Sequence, residues 1–454
     1  MASGKKSSLT ARVLSAVAIL GSAQAVNIAC SVIRTKLIAI WLGPVGVGLN
    51  TILVNGSTLV STATQLNIRD SAVRDLSLPD SPDRRALKAD VVRRWALLLG
   101  LLGAAAIIVI SPLLSASAYN GSIAYSLHFA ALAPAVFFTA YSAGEFAILQ
   151  AHERLRAIAR SNIEAGIAAT AISLPMLYVF RLHAIVPVIN IYALAVAACV
   201  RFRRLRIAPP TCRPDRRTLW LEGRGFLGLG LSISVSVLLT TLMNYILAAY
   251  INSRGGESAL GIYQSGYTLV NSYVGIIFSA IAVEYYPRLT RFIGRHSAAC
   301  TVMTHEVSLV IRLVTPVAVV FVLLSDFIVR LLYSSSFGEV VPFVTFAIVG
   351  ALYRGISLCY AYRILAAGDS RAYIFTETAS VTVGLSLNII AYSLWSYTGL
   401  GISYIVWYAF YAALTATVCR RRYGIVLPRR LLSLTAAATA VILTAIAIKT
   451  LLFC

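Results

Sequence analysis

Acidic residues are scarce in this sequence: 17 Asp and Glu in 454 positions, against 39 Lys and Arg. Charged residues of both signs make up only 12%, while 59% are apolar, a balance that soluble domains of this length do not show. The seven cysteines (Cys30, Cys199, Cys212, Cys300, Cys359, Cys419 and Cys454) form no Cys-x-x-Cys pair and have no His at ligand spacing. Neither a zinc centre nor a disulfide framework is indicated, and they read as small apolar filler. There is no Gly-x-x-x-x-Gly-Lys phosphate loop, and no Gly-x-Gly-x-x-Gly follows a strand, so nucleotide binding and ATP hydrolysis are not expected. His128, His152, His183, His296 and His305 are scattered singly, which favours gating or interfacial roles over metal binding or acid/base work.

What fills the sequence instead is long apolar runs, with a mean hydropathy of +0.81. A membrane span needs about 20 apolar residues. Thirteen runs qualify: roughly 13–42, 44–66, 95–118, 125–149, 161–180, 184–200, 225–250, 259–284, 306–332, 342–365, 373–394, 400–418 and 431–453. Lys5, Lys6 and Arg12, followed by Ala23-Gln24-Ala25, imitate a cleavable signal peptide, but the apolar run continues to Leu42 and reads as a retained first helix.

The net charge of +22 could suggest a nucleic-acid partner, but its placement points elsewhere. With the N-terminus cytoplasmic, 32 of the 39 Lys and Arg fall in inner segments or, for Arg312 and Arg363, towards the inner ends of their spans, the distribution that fixes a membrane protein's orientation. The expectation is an all-α, polytopic membrane protein with two six-helix lobes and an additional C-terminal helix. Residues 1–205 form the first lobe, the basic segment 206–224 an inter-lobe linker, 225–420 the second lobe, and 421–454 the extra span, which would carry Cys454 outward. Gly46-Val47-Gly48-Leu49-Asn50 and Ala259-Leu260-Gly261-Ile262-Tyr263 open the second and eighth spans after Gly-containing turns, a weak echo of an internal repeat of the kind that builds many transporters.

Outer loops are short and hold no pair of carboxylates, so no extracytoplasmic active site is visible. Ionisable residues inside spans are costly and are the functional suspects. Arg34 and Lys36 stand out because the apolar stretch continues eight residues past Arg34, which puts it roughly 12 Å below the outer helix end. A cavity-facing role competes there with a salt bridge or snorkelling. Arg354 lies roughly 18 Å into the tenth span, near the midplane. Glu377 is read either as a structural partner of Arg363 or as an ion-coupling acid. Glu284, Glu145 and Asp326 lie near helix ends, where solvation accounts for them; Glu284 is kept beside Glu377 as a candidate for ion coupling. Ser161 and Glu164 have capping-box spacing and read as a helix start. The 23 Tyr read first as interfacial belts, with sugar stacking as the alternative.

Arg34-Thr35-Lys36-Leu37-Ile38-Ala39, followed by Leu42-Gly43-Pro44-Val45-Gly46-Val47-Gly48-Leu49, resembles the first-helix signature of bacterial O-antigen and polysaccharide flippases. Gly261-Ile262-Tyr263 with Gly266, Tyr273 and Glu284-Tyr285-Tyr286-Pro287-Arg288-Leu289 resembles the eighth helix of that family. Leu332-Tyr333 before Phe337, and Leu365-Ala366-Ala367-Gly368-Asp369-Ser370, agree with it, so the resemblance covers nearly the whole chain. It implies the multidrug/oligosaccharidyl-lipid/polysaccharide exporter fold, two lobes facing a basic central cavity, and alternating access without covalent chemistry or cofactor. It also implies an undecaprenyl-pyrophosphate-linked oligosaccharide as substrate, moved from the cytoplasmic to the periplasmic leaflet of the inner membrane. The driving force is left open between H⁺ or Na⁺ as coupling ion and the membrane potential. A glycan polymerase and a chain-length regulator are the partners to expect. By motif, Arg34 carries over to a cavity Arg, with Lys36 beside it; Arg354 stands on its depth alone. A drug exporter of the same fold would need acidic groups for cationic substrates, and a membrane polysaccharide polymerase would need a large outer loop.

Overall fold

The structure, a computed structural model, describes residues 2–77, 81–207, 215–292, 295–426 and 428–453, with no strand among them. Its helices are α1 (Ala2–Gln65), α2 (Ile68–Leu76), α3 (Pro82–Ala118), α4 (Ser126–Ala130), α5 (Ala133–Ala151), α6 (Leu155–Phe180) and α7 (Ile185–Ile207). There follow α8 (Arg216–Thr268), α9 (Val274–Arg291), α10 (His296–Leu323), α11 (Ser325–Leu332), α12 (Val341–Ala366), α13 (Ser370–Tyr423) and α14 (Arg429–Phe453).

Three of these are two spans joined by a tight break. α1 turns at Gly43 (φ 65°, ψ −165°), α8 at Gly256 (φ 73°, ψ −178°), and α13 at Trp395 and Ser396 (φ 51°, ψ −132° at Ser396). Eight described stretches are long and apolar enough to cross a membrane, and those at Ala29–Leu76, Leu155–Arg204 and Ser370–Tyr423 each hold two crossings. With the two helical crossings of α8 and α9, the described residues account for the thirteen expected spans. The chain is an all-α polytopic membrane protein. Large apolar side chains such as Val109, Leu113, Ile390 and Leu451 face outward. Several buried hydroxyls are satisfied within their own helices, as where Thr51 donates to the Val47 carbonyl at 2.7 Å and Thr415 to Tyr411 at 2.8 Å. That is the solution a medium without water demands.

The turns expose an internal repeat. Gly256 follows Gly43 by 213 residues with nearly the same backbone angles. Ser396 follows Arg181 (φ 53°, ψ −129°) by 215, and Gly368 (φ 70°) follows Glu153 (φ 56°) by 215. Arg181, Ser396 and Glu153 hold a left-handed φ that non-glycine residues adopt only at a cost, so this chain path is imposed by the fold. Each half also ties its turns together. Arg181 Nη1 donates to the Trp41 carbonyl at 3.0 Å, and the Tyr397 hydroxyl to Ala259 at 3.3 Å.

The chain forms two compact units, Met1–Glu257 and Ser258–Cys454. In the first, α3 packs on α5, α5 on α7, and α6 on both α1 and α7. The seventh span, in α8, belongs to this unit. Trp95 Nε1 donates to Leu219, Tyr245 to Leu114 and Asn252 to Ala118, all at 2.9 Å, and Phe226 joins the buried cluster of Ile68, Leu99 and Ile148. The packing boundary therefore lies at 257/258, whereas the 206–224 linker expected from the sequence is a division by span number. α7 runs through Ile207 and α8 starts at Arg216, and residues 208–214, Cys212 included, lie outside the described residues. In the second unit α12 packs along α13 and α10, and α14 docks on α10. Lys449 of α14 pairs with Asp326 at 2.7 Å, so Asp326 is an ion-pair partner and not merely a solvated helix end.

Candidate substrate cavity

In the first unit a cavity of about 470 Å³ opens beside the first two spans. Ser31, Arg34, Thr35 and Ile38 line it at i, i+3, i+4 and i+7, so the helical period alone puts them on one face. The continuation of α1 contributes Asn50, Thr58 and Gln65. Arg34 lies about 13 Å below the Gly43 turn along the helix. Its guanidinium stacks over Tyr192 of α7, 4.8 Å from the ring centroid. No carboxylate lines the cavity, and none pairs with Arg34 among the described residues.

The remaining lining groups have a directional bias. Ser57 and Thr139 spend their hydroxyl protons on the carbonyls of Val54 (2.9 Å) and Ala135 (2.7 Å), which leaves their oxygens as acceptors. Gln65 Nε2 is buried without a partner and is a spare donor. The cavity thus offers one fixed cation, an amide donor and hydroxyl acceptors. Lys36, two residues beyond Arg34 and about 200° round the helix, does not line it.

Arg354 lies in the second unit, half-buried, with its own set of neighbours. Its Nη1 donates to Asn271 Oδ1 and lies 3.5 Å from the Tyr404 hydroxyl, which itself donates to Asn271 at 2.7 Å. The faces of Phe278 and Tyr408 lie 5.8 and 5.7 Å from its guanidinium carbon. Shifted back by the repeat spacings of 213 and 215 residues, Asn271, Phe278, Arg354, Tyr404 and Tyr408 fall on Thr58, Gln65, Thr139, Ile189 and Ala193. All five of those line the first unit's cavity. The Arg354 cluster is therefore the repeat counterpart of that cavity, with larger side chains, three of them aromatic, at most of the equivalent positions. Asn271 was not singled out from the sequence, because a lone Asn in an apolar run carries no signal. Its position in the π-helical turn Leu269–Tyr273 and the repeat register are what mark it.

The acids take places that differ from most of the sequence expectations. Glu377 accepts a hydrogen bond from the Tyr411 hydroxyl and is not paired with Arg363, which lies over the Tyr423 ring. The side chain of Glu284, in α9, lies outside the described residues. Glu145 is not solvated at a helix end. It is 1% exposed and forms a two-pronged ion pair with the equally buried Arg204, one arm of which spans 3.0 Å. Glu164 does not start a helix, because α6 begins nine residues earlier at Leu155; it pairs with Arg203. For Glu145 and Glu164 a cation on a neighbouring helix, unseen in the local sequence, supplies the reason, whereas Glu377 is held by a neutral hydroxyl.

A family model described as "Polysaccharide biosynthesis protein" matches residues 77–342. No curated protein sequence matches this chain. Among solved structures, an inward-facing multidrug resistance MATE family transporter of the MOP superfamily is similar with a TM-score of 0.72 and 14% identity, over 87% of this chain and 94% of that one. The lipid II flippase MurJ in an inward closed conformation gives a TM-score of 0.67 at 12% identity, over 96% and 98%. A MOP superfamily transporter from Pyrococcus furiosus, described as having a binding pocket of reverse polarity, gives 0.63 at 13% identity, over 90% and 95%. With more than half of its length matched by the family model, the chain belongs to the polysaccharide biosynthesis protein family, on the fold of the MOP superfamily transporters.

Proposed function

We propose that the protein is a flippase that carries an undecaprenyl-pyrophosphate-linked oligosaccharide from the cytoplasmic to the periplasmic leaflet of a bacterial inner membrane by alternating access. The observation that carries this reading is the acid-free polar cavity around Arg34. A guanidinium without a counter-ion in a low-dielectric site favours an anion, and its fork of donors matches phosphate oxygens. The acceptor hydroxyls and the spare Gln65 amide suit sugar hydroxyls, which both donate and accept. A drug or cation exporter would need a carboxylate where this cavity has none. Arg354, at the repeat-equivalent place, is the second cation assigned to the substrate, and Lys36 is assigned a supporting electrostatic role. Glu377, with Glu284, is assigned to coupling with H⁺ or Na⁺, and a glycan polymerase and chain-length regulator are the partners that would receive the product.

The test is a substitution series read as surface glycan in a flippase-deficient host, beside the level of each variant in the membrane. Arg34→Lys keeps the charge but loses the planar fork and should retain partial transport. Arg34→Ala and Arg34→Glu should lose nearly all of it at normal protein level. Wild-type surface glycan from Arg34→Ala would refute the assignment, and a parallel fall in protein level would reassign Arg34 to structural support.

A further inference from the structure

We infer that Tyr192 of α7 is a positioning residue for Arg34: its ring holds the guanidinium in the first unit's cavity while leaving the N–H donors to an anion. The inference rests on the reading of Arg34 as the phosphate receptor and adds a side chain that this reading does not include. Both residues line the cavity, and the Arg34 guanidinium carbon lies over the Tyr192 ring, 4.8 Å from its centroid. No Arg34 nitrogen donates to a protein group among the described residues, and none is buried without a partner, as expected of a side chain that opens onto a cavity.

Other arginines of this chain are held differently. Arg204 spends Nε and Nη2 on Glu145, and Arg354 spends Nη1 on Asn271. Such partners grip a guanidinium by its donors, and a carboxylate also cancels its charge. An aromatic face attracts the cation through its quadrupole and consumes neither. Holding the long side chain in place beforehand also removes part of the rotamer entropy that binding would otherwise cost. Arg34 is thereby kept charged, ordered and unspent.

The ring's own place is fixed from α5. Asn190, two residues before Tyr192, accepts from the Ala135 N–H at 2.9 Å and donates to the Ala131 carbonyl at 2.8 Å. These are backbone groups left over at the break between α4 and α5, so one side chain satisfies both and pins α7 at this level. Val188, Ile189, Tyr192 and Ala193 then recur at helical spacing, and the ring projects from the face that lines the cavity.

A graded series of fluorinated phenylalanines at position 192 tests the role, because fluorine drains the quadrupole while nearly keeping the shape of the ring. The purified full-length protein in detergent is titrated with inorganic pyrophosphate and melted, and Arg34→Ala defines the part of the response that belongs to the cavity. Tyr192→Phe should keep that part, with a half-saturating concentration within about twofold of the wild type, and each added fluorine should raise it further. Tyr192→Leu, which has no π face, should raise it about threefold to thirtyfold. Tyr192→Glu should abolish it by taking the donors. Should Tyr192→Leu not accumulate, the fluorinated series, which preserves the ring, decides alone. If Tyr192 only fills space, the fluorinated rings respond as phenylalanine does; that result overturns the inference and leaves Arg34 as the receptor. A wild type with no Arg34-dependent response overturns both the inference and the anion reading beneath it.

Discussion

Glu145 and Arg204 are fully buried partners, so neither charge has water to fall back on. Replacing Glu145 by Gln strands the guanidinium and should cost about 3–5 kcal/mol, seen as a loss of folded protein in the membrane. The double change Glu145→Leu with Arg204→Met removes both charges and should recover much of that level; a double variant no better than the single one would show that the pair does more than neutralise itself. Glu377 presents a different case, since its partner is the neutral Tyr411 hydroxyl and no cation. A carboxyl held this way can gain and lose a proton without breaking an ion pair, so Glu377→Gln should shift the pH or sodium dependence of transport while leaving the protein in the membrane. Transport that keeps the wild-type ion dependence would remove Glu377 from coupling. Arg34 and Arg354 were legible in the sequence because a cation deep in an apolar run is conspicuous. The pairings of Glu145, Glu164 and Asp326 were not, because each partner lies on a helix distant in sequence.

At the scale of helices, the two glycines near the first turn do different jobs. Gly43 adopts φ 65° and ψ −165°, a conformation almost confined to glycine, yet a Cβ there would meet nothing within 4 Å. Gly43→Ala should therefore cost only backbone strain, about 1–3 kcal/mol. At Gly48 a Cβ would fall 1.7 Å from the Glu257 carbonyl oxygen, so the second span would have to move off the turn that closes the seventh. Gly48→Ala should be the more damaging of the two when the thermal stability of the purified proteins is compared; equal melting temperatures would show that the contact is dispensable. The spans themselves were legible because lipid demands long apolar runs. The three breaks that join spans into hairpins fall between the expected runs, at 395 and 396 between 373–394 and 400–418 in the case of α13; their geometry was legible only in part, since Gly43-Pro44 announces a turn whereas the left-handed Ser396 carries no such signal and follows from the repeated fold.

For the molecule as a whole, the orientation expected from the basic inner segments makes a separate prediction. α14 is an apolar helix docked on α10 and tied by Lys449 to Asp326, so Cys454 should emerge on the outer face if the N-terminus is cytoplasmic. A variant keeping only Cys454 should react with a membrane-impermeant thiol reagent in intact cells; protection there, with labelling after permeabilisation, would mean that the last helix does not cross. The repeat has a consequence of its own. Thr58, Gln65, Thr139, Ile189 and Ala193 line an opening, while their counterparts Asn271, Phe278, Arg354, Tyr404 and Tyr408 form a cluster of hydrogen bonds and ring contacts around Arg354. One chain thus holds two divergent copies of a single structural element. Side chains at equivalent positions can therefore diverge in size and polarity between the halves while the turns that set the chain path stay the same, so a change in one half need not be matched in the other.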